Sequence, residues 1–261
     1  MIKVWKNDFY RLSKSPVLYG VMVFTFILPF ALTMIIRQDI NFGVGIGLYG
    51  EPTIIAFREI SDIIQMGIQY HMGLGIFVAI LISVFIGQEY QWNTWQHKWI
   101  IGKSRTNIYL SKLALSCIAS VLMFLLFQMV VLLFSGQITE IFTSEYLVKI
   151  TGGLFVYAAL GAVICLLSML IKNNVASIIV CLLYVLFSET IVSAISNIGS
   201  ISDTVGRFVE FGIRHSVYGM SMIVSSPQFS AGQIMRIIAN SLVVILLSTL
   251  LGLAAFRKYE L

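Results

Sequence analysis

The sequence predicts an all-α integral membrane protein with six transmembrane helices. Hydrophobic residues make up 58% of the 261 residues and charged residues only 11%, against about 25% charged residues in an average soluble domain. At least five apolar runs are long enough to cross a hydrocarbon core of about 30 Å as helices, and a shorter run makes a sixth. The longest interval without a span has 38 residues, so we expect no catalytic or nucleotide-binding domain on this chain.

The predicted spans form a single transmembrane domain over residues 1–261. They are residues 17–36, 68–87, 113–135, 151–171, 175–195 and 234–256. An even number of spans places both termini on the same side of the membrane. Eleven of the 17 Lys and Arg residues fall on that side and six on the other. The positive-inside rule therefore predicts a multi-pass protein of the cell membrane with both termini in the cytoplasm.

The connections between the spans have distinct predicted structures. Residues 1–16 are predicted to form an interfacial helix, because their large apolar side chains recur at helical spacing and their lysines lie mostly elsewhere on the helix circumference. The glycine-rich interval 37–65 predicts a flexible loop before a short amphipathic helix. Only Lys172, Asn173 and Asn174 separate the fourth and fifth spans, which predicts a tight hairpin. Residues 196–233 predict one or two short outer helices that dip partly into the bilayer.

The longest polar interval on the cytoplasmic side joins the second and third spans and contains three of the four tryptophans. Trp92, Trp95 and Trp99 fall on one stripe of a helix over residues 88–101. Indole rings favour the mixed environment of the headgroup layer. The stripe therefore predicts a helix that lies flat on the inner membrane surface, with Tyr90 and His97 on its opposite face.

Several kinds of chemistry are not expected. Basic residues sit mostly at span ends, where they fix orientation and contact anionic headgroups, so we expect no nucleic-acid partner. The Gly102-Lys103-Ser104 run lacks the earlier glycine of a phosphate-binding loop, because that position is His97. No histidine has the neighbour that a zinc site requires, and no metal ligand set is expected. All three cysteines fall inside apolar spans and predict free, reduced thiols.

Two polar residues inside spans are candidates for a transport pathway or gate. Glu189 is the one carboxylate well within an apolar span, at a predicted depth in the outer leaflet. Its alternative interpretation is a helix-packing or interfacial residue. Gln128 in the third span is the second candidate, and it also fits a bundle interior or a dimer seam. Two other function classes remain open: an intramembrane hydrolase using Glu189 with His71 or His215, and a secondary carrier or channel.

The whole chain resembles the membrane permease subunits of type-2 ATP-binding-cassette (ABC) exporters. The shared elements are the N-terminal amphipathic helix, the cytoplasmic helix between spans two and three, the tight hairpin, the broken outer segment, the basic C-terminus and the lack of a nucleotide site. The family's inner loop has an acidic residue, a Gly-Thr pair, a Ser-Arg pair and a downstream lysine. Here the corresponding residues are Glu89, Asn93-Thr94, Ser104-Arg105 and Lys112. The family's proline before Ser-Arg is absent, and Asn93 replaces glycine.

The resemblance implies a transport subunit rather than an enzyme. Separate ATPase subunits would bind ATP and Mg, and this chain would hold no cofactor of its own. A second permease copy or a sister permease would complete the pathway, with membrane lipid around it. The resemblance and the apolar spans favour hydrophobic or amphipathic cargo, such as antimicrobial peptides, toxins, drugs or lipid-like compounds, and hence a role in immunity. The implied ATPase-coupling residues are Glu89, Tyr90, Thr94, Trp95, His97, Lys103, Arg105 and Lys112.

Overall fold

The computed structural model describes residues 2–38, 42–46, 53–57, 59–92, 94, 104–136, 138–199 and 203–258. In chain order, the described elements are α1 (Ile2–Ser13), α2 (Pro16–Arg37), β1 (Phe42–Ile46), β2 (Thr53–Phe57), α3 (Ile60–Ile68), a 3₁₀ turn (Tyr70–Met72), α4 (Leu74–Gln91), α5 (Arg105–Phe134), α6 (Ile138–Ile141), α7 (Ser144–Leu170), α8 (Asn174–Leu186), α9 (Ser188–Gly199), α10 (Asp203–His215), α11 (Val217–Ser225) and α12 (Ala231–Lys258). The all-α membrane fold is therefore confirmed, with one small β-hairpin added.

Five of the described helices are long and apolar enough to cross a membrane by themselves. These are α2, α4, α5, α7 and α12. The helices α8 and α9 meet the same criterion only when taken together, and they are bent by 58° relative to each other. At about 1.5 Å per residue, the 13 residues of α8 reach only about 20 Å. The continuous fifth helix predicted over residues 175–195 is therefore broken.

The break in the fifth span lies at Phe187. Ser188 donates its hydroxyl to the carbonyl oxygen of Val185 at 2.9 Å. A side-chain bond of this kind to the preceding turn competes with the backbone hydrogen bonds of a helix and is common where helices bend. The second span also differs from its prediction. Its continuous helix begins at Leu74, and the residues before Gly73 belong to the 3₁₀ turn and to α3.

The helix α7 lies at the centre of the bundle and packs against both α5 and α12. Two of its glycines allow α5 to approach closely. A side chain at Gly153 would collide with the ring of Phe124, and one at Gly161 would collide with Ser120 and the backbone of Ser116. On the other side of α5, α4 packs against α8, and α2 covers α5. Close helix contact through small residues is the usual packing of membrane helices.

The connecting segments complete the architecture. Strands β1 and β2 pair antiparallel, with Phe42 opposite Phe57 and Ile46 opposite Thr53. The flexible loop predicted for the glycine-rich interval was therefore wrong in part, since β-branched residues in the second strand favour an extended backbone. The tight turn after the fourth span is present as Ile171–Asn173, and the Asn173 side chain caps α8. The predicted outer helices correspond to α10 and α11.

Candidate functional site

The first helix places an acidic side chain against the bundle. Asp8 and Leu12 of α1 are buried, whereas Trp5 and Phe9 are exposed and stack on each other with ring centroids 5.8 Å apart. This arrangement suits an interfacial helix, because one side packs against protein and the exposed aromatic side is of the kind that inserts into the membrane interface. The apolar stripe seen in the sequence did not indicate that Asp8 would turn inward.

A cluster of buried charges joins α1 to the second and third spans. Lys112 of α5 places its Nζ atom 2.7 Å from Oε1 of Glu89 and 3.2 Å from Oδ1 of Asp8. These three side chains have no exposed surface. Ser111 donates its hydroxyl to Oδ2 of Asp8 at 3.0 Å. One lysine thus bridges two carboxylates that come from different helices.

Arg11 completes the cluster and balances its charge. Its guanidinium forms an ion pair with Glu89 and donates a hydrogen bond of 2.8 Å to the carbonyl oxygen of Phe85. The Phe85 ring lies under both cations, with Lys112 Nζ 3.9 Å from its centroid and Arg11 4.6 Å away. We call Asp8, Arg11, Glu89 and Lys112 the inner network. It has two acids and two bases, which is what charges buried away from water require.

The inner network lies where the predicted coupling segment leaves and re-enters the bundle. Glu89 is two residues from the end of α4, and Lys112 lies in the second turn of α5. The start of α5 is fixed locally, because the Ser104 hydroxyl accepts a hydrogen bond from the backbone N–H of Asn107. The Ser104-Arg105 pair of the family motif is thus the N-cap and first residue of a helix.

The end of α4 is also bound to the turn between α7 and α8. The hydroxyl of Tyr90 donates to the carbonyl oxygen of Met169 at 3.1 Å. Asn174 donates its side-chain amide to Gln91 at 2.9 Å. There is no room for a side chain at Gly87, because it would collide with Asn174. A displacement of this end of α4 would therefore reach α1, α5, α7 and α8 directly.

The structure places the predicted coupling residues in two groups. Glu89 and Lys112 are buried, so they act within the subunit, while Tyr90, Thr94 and Arg105 are half-buried beside them. The first residues of the helix predicted over residues 88–101 belong to α4, which ends at Gln91 with the exposed Trp92 as its C-cap, and Thr94 is again helical. The remaining predicted residues, Trp95, His97 and Lys103, lie outside the described residues, as does most of that helix.

The two candidates for a pathway or gate have different surroundings. Gln128 is buried and donates its amide to the carbonyl oxygen of Ile64 at 3.1 Å, which fastens α5 to α3. Glu189 is mostly exposed, and its Oε2 lies 3.9 Å from Nε2 of His71. That distance is an ion contact beyond hydrogen-bond length. Burial lowers the pKa of His71, and the Glu189 carboxylate opposes that shift.

Two cavities lie on opposite sides of α10. The first has a volume of about 310 Å³ and an apolar wall with a few hydroxyl groups, contributed by Tyr70, Tyr184, Ser188 and Tyr218 among others. The second, of about 400 Å³, is lined by Arg207, Glu210, Phe211, Arg214, His215 and Arg236. His215 is therefore in a different cavity from the one beside His71. Among the described residues, no group of three or more His, Cys, Asp or Glu side chains could hold a metal ion.

Sequence reasoning missed Asp8 and Arg11 of the inner network. The available signal was Asp8 itself, which is the one acidic residue in a basic N-terminal helix. With Arg11 three residues later, both side chains lie on one helical face. The three arginines of the second cavity were counted only for orientation, since only the tertiary structure brings them to one cavity wall.

Comparison with known proteins agrees with this architecture. A family model described as "ABC-2 family transporter protein" matches residues 4–188. The match covers more than half of the chain and includes the inner network, the coupling segment and the spans up to the break at Phe187. A search among curated proteins found no match.

Proposed function

Because the chain belongs to the ABC-2 transporter family and is a membrane permease subunit, we propose that it works in an exporter of hydrophobic or amphipathic compounds. Separate ATPase subunits, which bind ATP and Mg, supply the energy. Cargo leaves the cell through a pathway completed by a second permease copy or a sister permease. Antimicrobial peptides are the cargo class that we propose first, so that the transporter serves immunity, and drugs or lipid-like compounds follow.

The inner network is the observation that carries the coupling part of this proposal. An ATPase that moves the segment after Gln91 acts on the ends of α4 and α5. Buried charges that are paired resist separation, because each lost partner leaves an uncompensated ion. The network therefore makes α1, α4 and α5 move as one body. In this role Glu89 and Lys112 hold the ends of α4 and α5 together. The residues that contact the ATPase are Tyr90, Thr94, Trp95, His97, Lys103 and Arg105.

The surfaces of the bundle support the cargo class. Apolar side chains are exposed along the spans, for example Phe24 on α2, Leu183 on α8 and Leu247 on α12. The cavity between α9 and α10 has an apolar wall with tyrosine and serine hydroxyls. A ligand with an apolar body and a few polar groups fits such a wall. Membrane lipid and the second permease would cover the faces that do not line the pathway.

The decisive experiment measures ATP hydrolysis and transport in the same complex. The permease is purified with its ATPase from native membranes and reconstituted, and ATP-driven movement of a fluorescent cationic amphipathic peptide is followed. We expect Arg105→Glu and Trp95→Ala to reduce transport strongly while the isolated ATPase still folds and hydrolyses ATP. A matched substitution at an exposed residue far from the segment, Gln228→Glu, should transport normally. Transport by the permease alone without ATP would contradict the proposal.

Orientation is tested separately. We propose that both termini and the Gln91–Arg105 interval are cytoplasmic. A cysteine introduced at Ser104 should react with an impermeant thiol reagent only from the cytoplasmic side, and one at Ser144 only from outside. The opposite labelling pattern would overturn the orientation and the coupling role together.

A further inference from the structure

The second cavity beside α10 brings together three arginines from two helices. Arg207 and Arg214 are two helical turns apart on α10, and Arg236 comes from the first turns of α12. Within the described part of the chain, none of these guanidinium groups makes an ion pair. Glu210 is the one carboxylate of the cavity wall. The wall thus carries an excess of positive charge.

The cavity lies at the end of the bundle opposite the inner network. Near the start of α5, Tyr109 donates its hydroxyl to the carbonyl oxygen of Ser248 and packs against Gly252. The inner end of α12 is therefore the end that carries Gly252. Arg236 is 16 residues earlier, which is about 24 Å along a helix. This is the end where the positive-inside rule leads us to expect few basic residues.

Large apolar side chains are exposed around these arginines. Phe208 and Phe211 of α10 are 75% and 64% exposed, and Met235 of α12 is 71% exposed. His215 stacks on Phe211 with ring centroids 4.0 Å apart. Exposed apolar groups next to cationic groups are typical of the boundary between hydrocarbon and headgroups. A ligand at this place would have both an anionic and an apolar part.

We propose that this cavity binds the phosphate group of an anionic membrane amphiphile. A guanidinium group presents several N–H donors in a planar fork that matches phosphate oxygens. Arg207 and Arg214 of α10 and Arg236 of α12 line the same cavity, so N–H donors from two helices are available to one phosphate group. The chains of the amphiphile lie along Phe208, Phe211 and Met235. The site is independent of the ATPase-coupling role proposed above.

A simpler explanation covers only part of the cluster. Arg214 and His215 are in the last turn of α10, where cations interact favourably with the helix dipole. That explanation does not apply to Arg207, which is in the second turn, or to Arg236 on another helix. The test must therefore distinguish a specific phosphate-binding site from nonspecific attraction by positive charge.

The test uses the purified transporter complex and native mass spectrometry. Dioleoyl-phosphatidylglycerol is titrated against the complex, and dioleoylglycerol, which has the same chains without phosphate, is the ligand control. We expect the phosphatidylglycerol to bind and Arg207→Gln/Arg236→Gln to raise its Kd about tenfold or more, because the variant loses charge-assisted hydrogen bonds to the phosphate. Arg207→Lys/Arg236→Lys, which keeps the charge, should bind with intermediate Kd.

The matched control variant is Arg37→Gln/Lys149→Gln. It removes the same charge from the same end of the bundle. Arg37 donates a hydrogen bond to the carbonyl oxygen of Phe134, the last residue of α5, and Lys149 is close in sequence to Gly152, which packs against Val224 and Phe229 near the start of α12. We expect this variant to bind phosphatidylglycerol like the unchanged complex. An equal loss of binding in both double variants would overturn the proposal. If inorganic phosphate at equal concentration displaced the lipid, the site would be one for free phosphate, and the proposal of a lipid ligand would be wrong.

Discussion

The two ends of the bundle hold their charges differently. At one end, the side chains of Asp8, Glu89 and Lys112 have no exposed surface, and each lies within 3.2 Å of a charged partner. At the other end, Arg207 and Arg236 line a cavity and make no ion pair among the described residues. Buried charges that are paired hold helices in one arrangement. Charges that are exposed and converge without a partner are available to a ligand. The two ends thus suggest a rigid end at the inner network, suited to receiving force, and an opposite end suited to binding.

The largest expected effect is at the inner network. Lys112→Met leaves Asp8 buried without its lysine partner and Glu89 with Arg11 alone, so we expect the free energy of unfolding to fall by about 3–5 kcal/mol. Thermal unfolding of the purified permease in detergent measures the change. The double variant Lys112→Met/Asp8→Asn restores charge balance and should recover part of the stability. If the double variant is less stable than Lys112→Met alone, charge pairing does not explain the cluster.

The next effect compares packing within the bundle, at Gly161, with packing at α10. Gly161→Ala adds a methyl group that would collide with the Ser116 carbonyl and the Ser120 hydroxyl, so we expect a loss of about 1–3 kcal/mol. Gly212→Ala makes the same chemical change in α10, where no atom lies within 4 Å of the added group. Unfolding should show a lower midpoint for Gly161→Ala only. Equal losses in both variants would contradict the difference in packing density.

A smaller effect concerns acid stability beside the first cavity. Burial lowers the pKa of His71 in the folded protein, so below the usual histidine pKa of about 6.5 the unfolded chain binds a proton that the folded site resists. Stability should therefore fall as the pH falls through that range, by at most about 1.4 kcal/mol per pH unit for one proton. Unfolding midpoints between pH 7.5 and 5.5 measure this slope.

Two variants separate the contributions at His71. His71→Gln should show a shallower pH dependence than the unchanged protein, because the titrating group is gone. Glu189→Gln should show a steeper one, because the carboxylate favours the protonated histidine. A pH dependence that is identical in all three proteins would assign the acid sensitivity to other groups.

The smallest expected effect is at the outer arginines. Arg214→Gln removes an exposed cation that has no ion pair with other described residues, so the unfolding free energy in lipid-free detergent should change by less than about 0.5 kcal/mol. This result beside the large loss for Lys112→Met would sharpen the contrast between the two ends. A loss of several kcal/mol at Arg214 would mean that the outer cluster is structural.

Much of the fold could be predicted from local patterns. Apolar runs of sufficient length predict spans, and the short Lys172–Asn174 interval left room only for a turn. The break at Phe187 could not be predicted in this way, because the run is apolar on both sides of it. At the break the Ser188 hydroxyl donates to the Val185 carbonyl oxygen, a contact that hydropathy does not reveal. The pairing of β1 with β2 was missed since glycines in the first strand have a composition typical of loops.

The candidate site was predicted only in part. The motif indicated Glu89 and Lys112, and the structure brings them together with Asp8 and Arg11, which are about 80 to 100 residues away in sequence. Gln128 is a polar residue inside an apolar span, as expected for a transport pathway, yet its side chain lies in the contact between α5 and α3. Whether a polar side chain lies inside a bundle or faces a pathway depends on helix rotation, which hydropathy alone does not specify.

The sequence by itself determined the membrane class, the approximate spans and the side on which positive charge collects, because each depends on the transfer of short segments between water and lipid. Only the tertiary structure decided which charges meet and which remain available to a ligand. A buried carboxylate and a lysine from distant helices attract each other only after packing has excluded water and brought them within a few ångströms.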